Sequence, residues 1–83
     1  MNVSSPHDDV ERAERIAQVR RALERLSDRD RQMLLMREEG FRYREIAEAV
    51  GVRPTSVGAL VARALKRFSA AYAVVGEADA TPG

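Results

Sequence analysis

The sequence predicts an all-α fold, in the form of a four-helix domain, and three observations support this prediction. Apolar residues recur at steps of three and four along most of the chain, which is the spacing of one face of a helix. Glycine and proline fall at a few positions between these segments, where they end one helix and begin the next. No stretch alternates apolar and polar residues in the manner of a half-buried strand.

The first predicted helix begins near Asp8 or Asp9 and runs to about Leu26. An aspartate is a good N-cap, because its carboxylate accepts an unpaired backbone N–H and favours the positive end of the helix dipole. The apolar residues of this segment are spaced as one stripe, and we expect that stripe to face the core. Its members are Ala13, Ile16, Val19, Leu23 and Leu26.

A second helix is predicted over about Asp28–Glu39. Ser27 with Asp30 three residues later resembles a capping box in which aspartate replaces glutamate. Gly40 is typical of the residue that closes a helix in the left-handed conformation, and Phe41 is expected to plug the end against the core. The residues of this helix expected to point inward are Met33, Leu34 and Met36.

Two further helices follow the second. A short one is predicted over about Tyr43–Val50, with Gly51 ending it, and Pro54 suits the first position of the fourth, where its missing N–H costs nothing. The fourth helix is predicted to end at about Val74, and residues 75–83 are expected to form a flexible tail. Its apolar repeat consists of Val57, Leu60, Val61, Ala64, Leu65, Phe68 and Tyr72.

Composition excludes several classes of protein. The chain has 83 residues, no cysteine and one histidine, His7, which we expect to be a solvated tail residue. We therefore predict no disulfide, no metal site and no cofactor. No apolar run approaches the roughly 20 residues that span a bilayer, and the N-terminus lacks the features of a signal peptide. The expected location is the cytoplasm, without a membrane partner.

Charge is distributed unevenly along the chain. The net charge is only +1, and acids and arginines nearly cancel over residues 8–30. Residues 53–68, in contrast, contain no acid. They carry Arg53, Arg63, Lys66 and Arg67. A basic segment of this kind is the electrostatic signature expected of a surface that binds a polyanion.

The third and fourth helices together satisfy the requirements of a helix-turn-helix. Such a motif needs small and apolar residues on its first helix, a sharp turn, and apolar residues that fix the second helix across it. Ile46, Ala47 and Val50 meet the first requirement, and Gly51 meets the second. The third is met by Val52 and Val57. In this motif the N-terminal end of the second helix enters the major groove of DNA.

Much of the chain, roughly residues 19–70, resembles region 4 of bacterial sigma factors, and it is most similar to the extracytoplasmic-function group of the sigma-70 family. Four features carry the resemblance. They are Ala22 and Leu23 followed by Leu26; Leu34, Leu35 and Arg37 on the second helix; Gly40, Phe41, Tyr43, Glu45, Ile46 and Ala47; and the run from Arg63 to Arg67.

This resemblance implies that the fourth helix recognises the −35 promoter element in duplex DNA. It also implies docking on the β flap of RNA polymerase and capture by an anti-sigma factor, with no small-molecule substrate. Carried onto this sequence, the DNA-binding residues are expected to be Arg42, Tyr43, Arg53, Pro54, Thr55, Ser56, Gly58, Ala59, Ala62, Arg63 and Lys66.

The chain departs from the family pattern in two places. Family members often place basic residues and serine after the position of Val57, where this chain has Gly58, Ala59 and Leu60. Small residues allow close approach to DNA but donate no side-chain hydrogen bonds to bases. In addition, Arg42 and Arg53 replace the usual serine or threonine caps, whose loss typically costs about 1 kcal/mol.

A sigma factor also requires region 2, and nothing before residue 19 can form it. We therefore expect an excised domain or a shortened stand-alone relative. Residues 1–18 would be an inter-domain linker or an extension of the first helix, and residues 19–74 the region 4-like domain.

Two alternatives to a promoter-reading domain stay open at this stage. The first is a region 4-like interaction module, bound mainly by an anti-sigma factor or by polymerase, with weak DNA binding. The second is the output domain of a response regulator, although the run from Arg63 to Arg67 argues against it. An enzyme is not expected, because no acid, base and nucleophile converge on one place in the sequence.

Overall fold

A computed structural model describes the backbone of residues 6–80 and the side chains of residues 8–77. This part of the chain contains four α-helices and no strand, which confirms the all-α prediction. The helices are α1 (Pro6–Glu24), α2 (Asp28–Glu38), α3 (Tyr43–Val50) and α4 (Pro54–Ala80). The backbone of His7 belongs to α1, whereas its side chain lies outside the described residues.

Both ends of α1 differ from the prediction. The helix begins at Pro6, so Asp8 and Asp9 lie in its first turn, where they favour the helix dipole, rather than at the N-cap. It ends at Glu24, because the N–H groups of Arg25 and Leu26 bond three residues back and form a tight turn. Residues 6–18 thus extend the first helix, and residues 1–5 lie outside the described part.

The face of α1 that packs against the protein is also different from the predicted one. Ala13, Ile16 and Val19 are exposed, and Leu23 and Leu26 are half-buried. Ala22, which is not part of the predicted stripe, is completely buried. The reason is that α4 crosses the face carrying Ala22 and Gln18, whose side-chain oxygen accepts a hydrogen bond from the Tyr72 hydroxyl at 3.2 Å.

Helix α2 begins as predicted, and a glycine closes it. The Ser27 hydroxyl accepts the backbone N–H of Asp30 at 3.1 Å. At the other end Gly40 has a φ of 90°, and the N–H of Phe41 bonds the carbonyl of Met36 at 3.0 Å. The left-handed backbone of Gly40 and this hydrogen bond form the closing turn expected of a C-terminal glycine. The prediction for Phe41 is wrong, since 41% of this residue is exposed.

Helix α4 is longer than predicted. It has 27 residues and continues six residues past Val74 to Ala80. Ala71 and Val75 are buried, and Tyr72 bonds Gln18 of α1, which gives the last turns of α4 a partner. Residues 75–80 of the expected flexible tail are therefore helical, and residues 81–83 lie outside the described range.

The core lies where α2, α3 and α4 meet. Its buried members are Met33, Ile46, Ala47, Val57, Val61 and Ala64. Partly buried side chains surround them, namely Leu34, Met36, Val50, Val52 and Leu60. The inward positions predicted for α2 and α3 are thus confirmed. Leu65, which is part of the predicted apolar repeat of α4, is instead 41% exposed.

Candidate nucleic-acid interface

The third and fourth helices form the predicted helix-turn-helix. Gly51 has a φ of 75°, and the carbonyl of Ala47 accepts N–H bonds from both Gly51 and Val52. A residue with a side chain adopts this left-handed backbone only at a cost, so glycine suits the turn. Ile46 and Val57, both fully buried, hold the two helices together across the turn.

The first turns of α4 present a nearly unobstructed outer surface. Thr55, Ala59, Ala62 and Lys66 are exposed and follow one another at steps of four, three and four, so they share one face of the helix. Arg63 is exposed beside them. Pro54 and Arg53 are exposed at the start of the helix, whereas Ser56 is half-buried. The backbone N–H of Ser56 bonds the Arg53 carbonyl at 2.9 Å.

Tyr43 connects α3 to this surface. It is the first residue of α3, is 45% exposed, and its ring lies beside Gly58 on the second turn of α4. A methyl group on Gly58 would sit 3.7 Å from Cε2 of Tyr43, an ordinary van der Waals distance. Gly58 is consequently half-buried and lies at the side of the outer surface rather than in its centre.

Arg42 occupies the N-cap of α3, and Glu45 makes up for part of the missing cap. The backbone N–H of Arg42 donates to the Glu45 carboxylate at 2.8 Å. A guanidinium group only donates hydrogen bonds, so the Arg42 side chain caps nothing and is exposed beside Arg44. This bond offsets part of the stability that the absence of a serine or threonine cap is expected to cost.

The electrostatics of α4 favour an anionic partner. The helix carries no acid before Glu77, and Arg63 and Lys66 are exposed on it. The helix N-terminus adds its positive dipole end to this surface. One cation of the segment is engaged elsewhere, because Nη1 of Arg67 donates to Oδ2 of Asp30 at 2.8 Å.

The role of Asp30 was only half predicted. Its backbone N–H completes the Ser27 cap, but its carboxylate bonds Arg67 rather than the start of α2. Asp30 is 3% exposed, and it is the one charged residue buried among the described side chains. A pair of residues 37 positions apart leaves no local signal in a sequence.

A second feature that the sequence did not indicate is an apolar groove between α1, α2 and α4. Arg37 and Glu38 lie at its edge, at the C-terminal end of α2. Leu35 and Leu65 are 45% and 41% exposed there, although both are large and apolar. The apolar groove is lined by Val19, Leu23, Leu34, Leu35, Leu65 and Phe68. Exposed apolar surface that is gathered in one place typically marks a site of protein interaction.

The fold and the exposed, acid-free start of α4 define a helix-turn-helix protein of the DNA-binding class. The family model described as sigma-70, region 4, matches residues 16–68, and the chain belongs to this family. Region 4 is a DNA-binding part of a sigma factor, which acts with RNA polymerase in transcription initiation. This result confirms the resemblance to region 4 and favours it over a response-regulator output domain.

Other comparisons add nothing to this assignment. Neither the curated proteins nor the solved structures give a significant match to the chain. Within the described residues, none of the helices combines the length and apolar character needed to cross a membrane. The same residues contain no group of three or more side chains suited to hold a metal ion.

Proposed function

We propose that this domain recognises the −35 promoter element through the first turns of α4. The observation that carries the proposal is the exposed, acid-free N-terminal half of α4, which a helix-turn-helix of the region 4 family presents. An α-helix fits the major groove of B-DNA, where each base pair shows a distinct pattern of donors and acceptors. The proposed DNA-binding residues are Arg42, Tyr43, Arg53, Pro54, Thr55, Ser56, Gly58, Ala59, Ala62, Arg63 and Lys66.

These residues divide into two roles. Ala59 and Ala62 allow close approach to the groove, and their methyl groups can contact a thymine methyl. Arg53, Ser56 and Arg63 have side chains that hydrogen-bond to bases, and a bidentate pair contributes about 1–3 kcal/mol of discrimination. We therefore expect modest sequence selectivity, supported by phosphate contacts from the basic residues.

The test is a titration of labelled duplexes with a −35-like sequence and with a scrambled sequence, at about 50 mM and about 200 mM salt. Preferential binding of the −35-like duplex is the expected result. Arg63→Ala should weaken binding to the −35-like duplex more than to the scrambled one, because a base-reading side chain is lost. Lys66→Ala should weaken binding to both duplexes and reduce the salt slope by about 0.9, because one phosphate-neutralising charge is lost. Arg15→Ala, on the exposed side of α1, is the charge-matched control. Absence of binding at low salt would refute the proposal.

We further propose that the apolar groove docks on RNA polymerase at the β flap. An apolar groove between helices suits an amphipathic helix of a partner protein, whose apolar face would cover Leu35 and Leu65. An anti-sigma factor that occupied the same surface would exclude polymerase. If this interaction dominated over DNA binding, the domain would be mainly a protein-interaction module.

Groove variants distinguish the two surfaces. Leu35→Glu should abolish binding to a purified β-flap fragment in calorimetry while DNA affinity stays within about twofold of the unaltered protein. The matched control is Val10→Glu, because Val10 is 55% exposed on α1 and does not line the apolar groove. Equal loss of flap binding in both variants would contradict the assignment. We assign this function to the cytoplasm and assign no catalytic activity to the domain.

A further inference from the structure

Arg67 is placed to extend the basic surface of α4, yet it bonds within the protein. It follows Arg63 by four residues, so the two arginines lie on the same side of the helix, one turn apart. Its side chain is 55% exposed, so the guanidinium is at the protein surface. The Asp30 carboxylate that it bonds has only 4% of its side-chain surface exposed.

We propose that Asp30 is a positioning residue that withholds Arg67 from the DNA backbone and so limits the number of phosphate contacts that the domain makes. The inference rests on the proposed function, because it assumes that α4 binds DNA. Arginine contacts to phosphate strengthen binding to every sequence equally and carry no base information. An arginine that is kept out of such contacts therefore lowers the affinity for every duplex by about the same factor and leaves the preference among sequences unchanged.

The competition for Arg67 favours Asp30. A buried carboxylate without its cation is strongly destabilising, because neither water nor another charge compensates for it. A phosphate contact at the exposed rim of the interface is, by comparison, weakened by solvent and by salt. Arg67 would therefore have to leave a buried charge unpaired in order to reach DNA.

The position of Asp30 is fixed by its own helix. Its N–H donates to Ser27 at the start of α2, so the backbone that carries the carboxylate is held in place. Asp30 and Arg67 line a cleft between α2 and α4 together with Arg25. Among the side chains that the structure describes, no other acid lines this cleft, and Asp30 is the anion placed to hold the arginine there.

The experiment compares the salt dependence of DNA binding for four forms of the 83-residue chain. These are the unaltered protein, Asp30→Asn, Arg67→Gln and the double variant. Asp30→Asn should release Arg67, steepen the salt slope by about 0.9 and raise the affinity for the −35-like and the scrambled duplex by the same factor. The double variant should return to the slope of the unaltered protein, because it lacks the released arginine.

Two controls make the result decisive. Lys66→Gln should lower the slope by about 0.9, whereas Arg67→Gln should not change it. Circular dichroism and thermal melting establish that each form is folded. If Arg67→Gln does not fold, the double variant replaces it, since it leaves no buried unpaired charge; Asp30→Asn leaves only Arg67 unpaired, and its side chain is 55% exposed.

A slope in the double variant that is lower by about 0.9 than in the unaltered protein would show that Arg67 already binds phosphate, and would overturn the inference. An unchanged slope in folded Asp30→Asn would also overturn it. A failure of the unaltered protein to bind DNA, or to prefer the −35-like duplex, would instead contradict the proposed function.

Discussion

Replacement of Gly58 by alanine should stabilise the domain. Gly58 lies inside α4 with a helical backbone, and glycine in a helix interior is less stable than alanine by roughly 0.5–1 kcal/mol. The added methyl group would meet Cε2 of Tyr43 at 3.7 Å, so the ring need not move. A domain of this size shifts its melting temperature by about 4–8 °C per kcal/mol, which predicts an increase of roughly 2–8 °C.

Gly51→Ala is a control for which the opposite change in melting temperature is expected. Nothing lies within 4 Å of a methyl group at this position, so steric space is at least as large as at Gly58. Its φ of 75°, however, lies in the left-handed region, which costs a residue with a side chain roughly 1–2 kcal/mol. Gly51→Ala should therefore lower the melting temperature even though it also removes a glycine.

Both variants are measured by thermal unfolding followed by circular dichroism at 222 nm, with urea unfolding as a second probe. A lower melting temperature for Gly58→Ala would refute the reasoning, because it would mean that Tyr43 or the backbone cannot accommodate the methyl group. Equal shifts for Gly58→Ala and Gly51→Ala would show that backbone conformation does not decide the outcome.

Substitutions at three other positions test the capping and packing of the domain. Ser27→Ala should lower the free energy of unfolding in urea by about 1 kcal/mol, since it removes the acceptor for the Asp30 N–H. Met33→Ala should cost about 2–5 kcal/mol, because Met33 is fully buried, whereas Met33→Leu should cost less than about 1.5 kcal/mol. Tyr72→Phe should lower the free energy of unfolding by about 1 kcal/mol and so lower the melting temperature, because the bond to Gln18 is lost. An unchanged melting temperature would show that this bond does not contribute to stability.

Features with a local cause could be predicted from the sequence. Gly40 and Gly51 end helices in the left-handed conformation, Pro54 begins one, and Ser27 caps another, as their chemistry requires. The core positions of α2 and α3 followed from periodicity, since the faces of Met33 and Ile46 are defined by their own neighbours. The helix-turn-helix could be predicted because the residues that meet its requirements lie close together in the sequence, between Ile46 and Val57.

Features that depend on contacts between distant segments were missed. Periodicity favoured Ile16 and Val19 on α1, but α4 packs against the face of Ala22, where a small side chain allows a close crossing. The same contact extends α4 past its predicted end, since Val75 is buried and Tyr72 bonds Gln18 of α1. The ion pair of Asp30 with Arg67 and the apolar groove also arise only when the helices are assembled.

The unbroken course of α4 fixes the spacing between the proposed DNA surface and the apolar groove. Thr55 lies on the proposed DNA side of this helix, and Leu65 lines the apolar groove ten residues later. At 1.5 Å per residue, the two positions are about 15 Å apart along the axis, with no hinge between them. A partner bound in the groove would thus be held at a fixed distance from the DNA. Any variation in that distance would have to be absorbed outside α4.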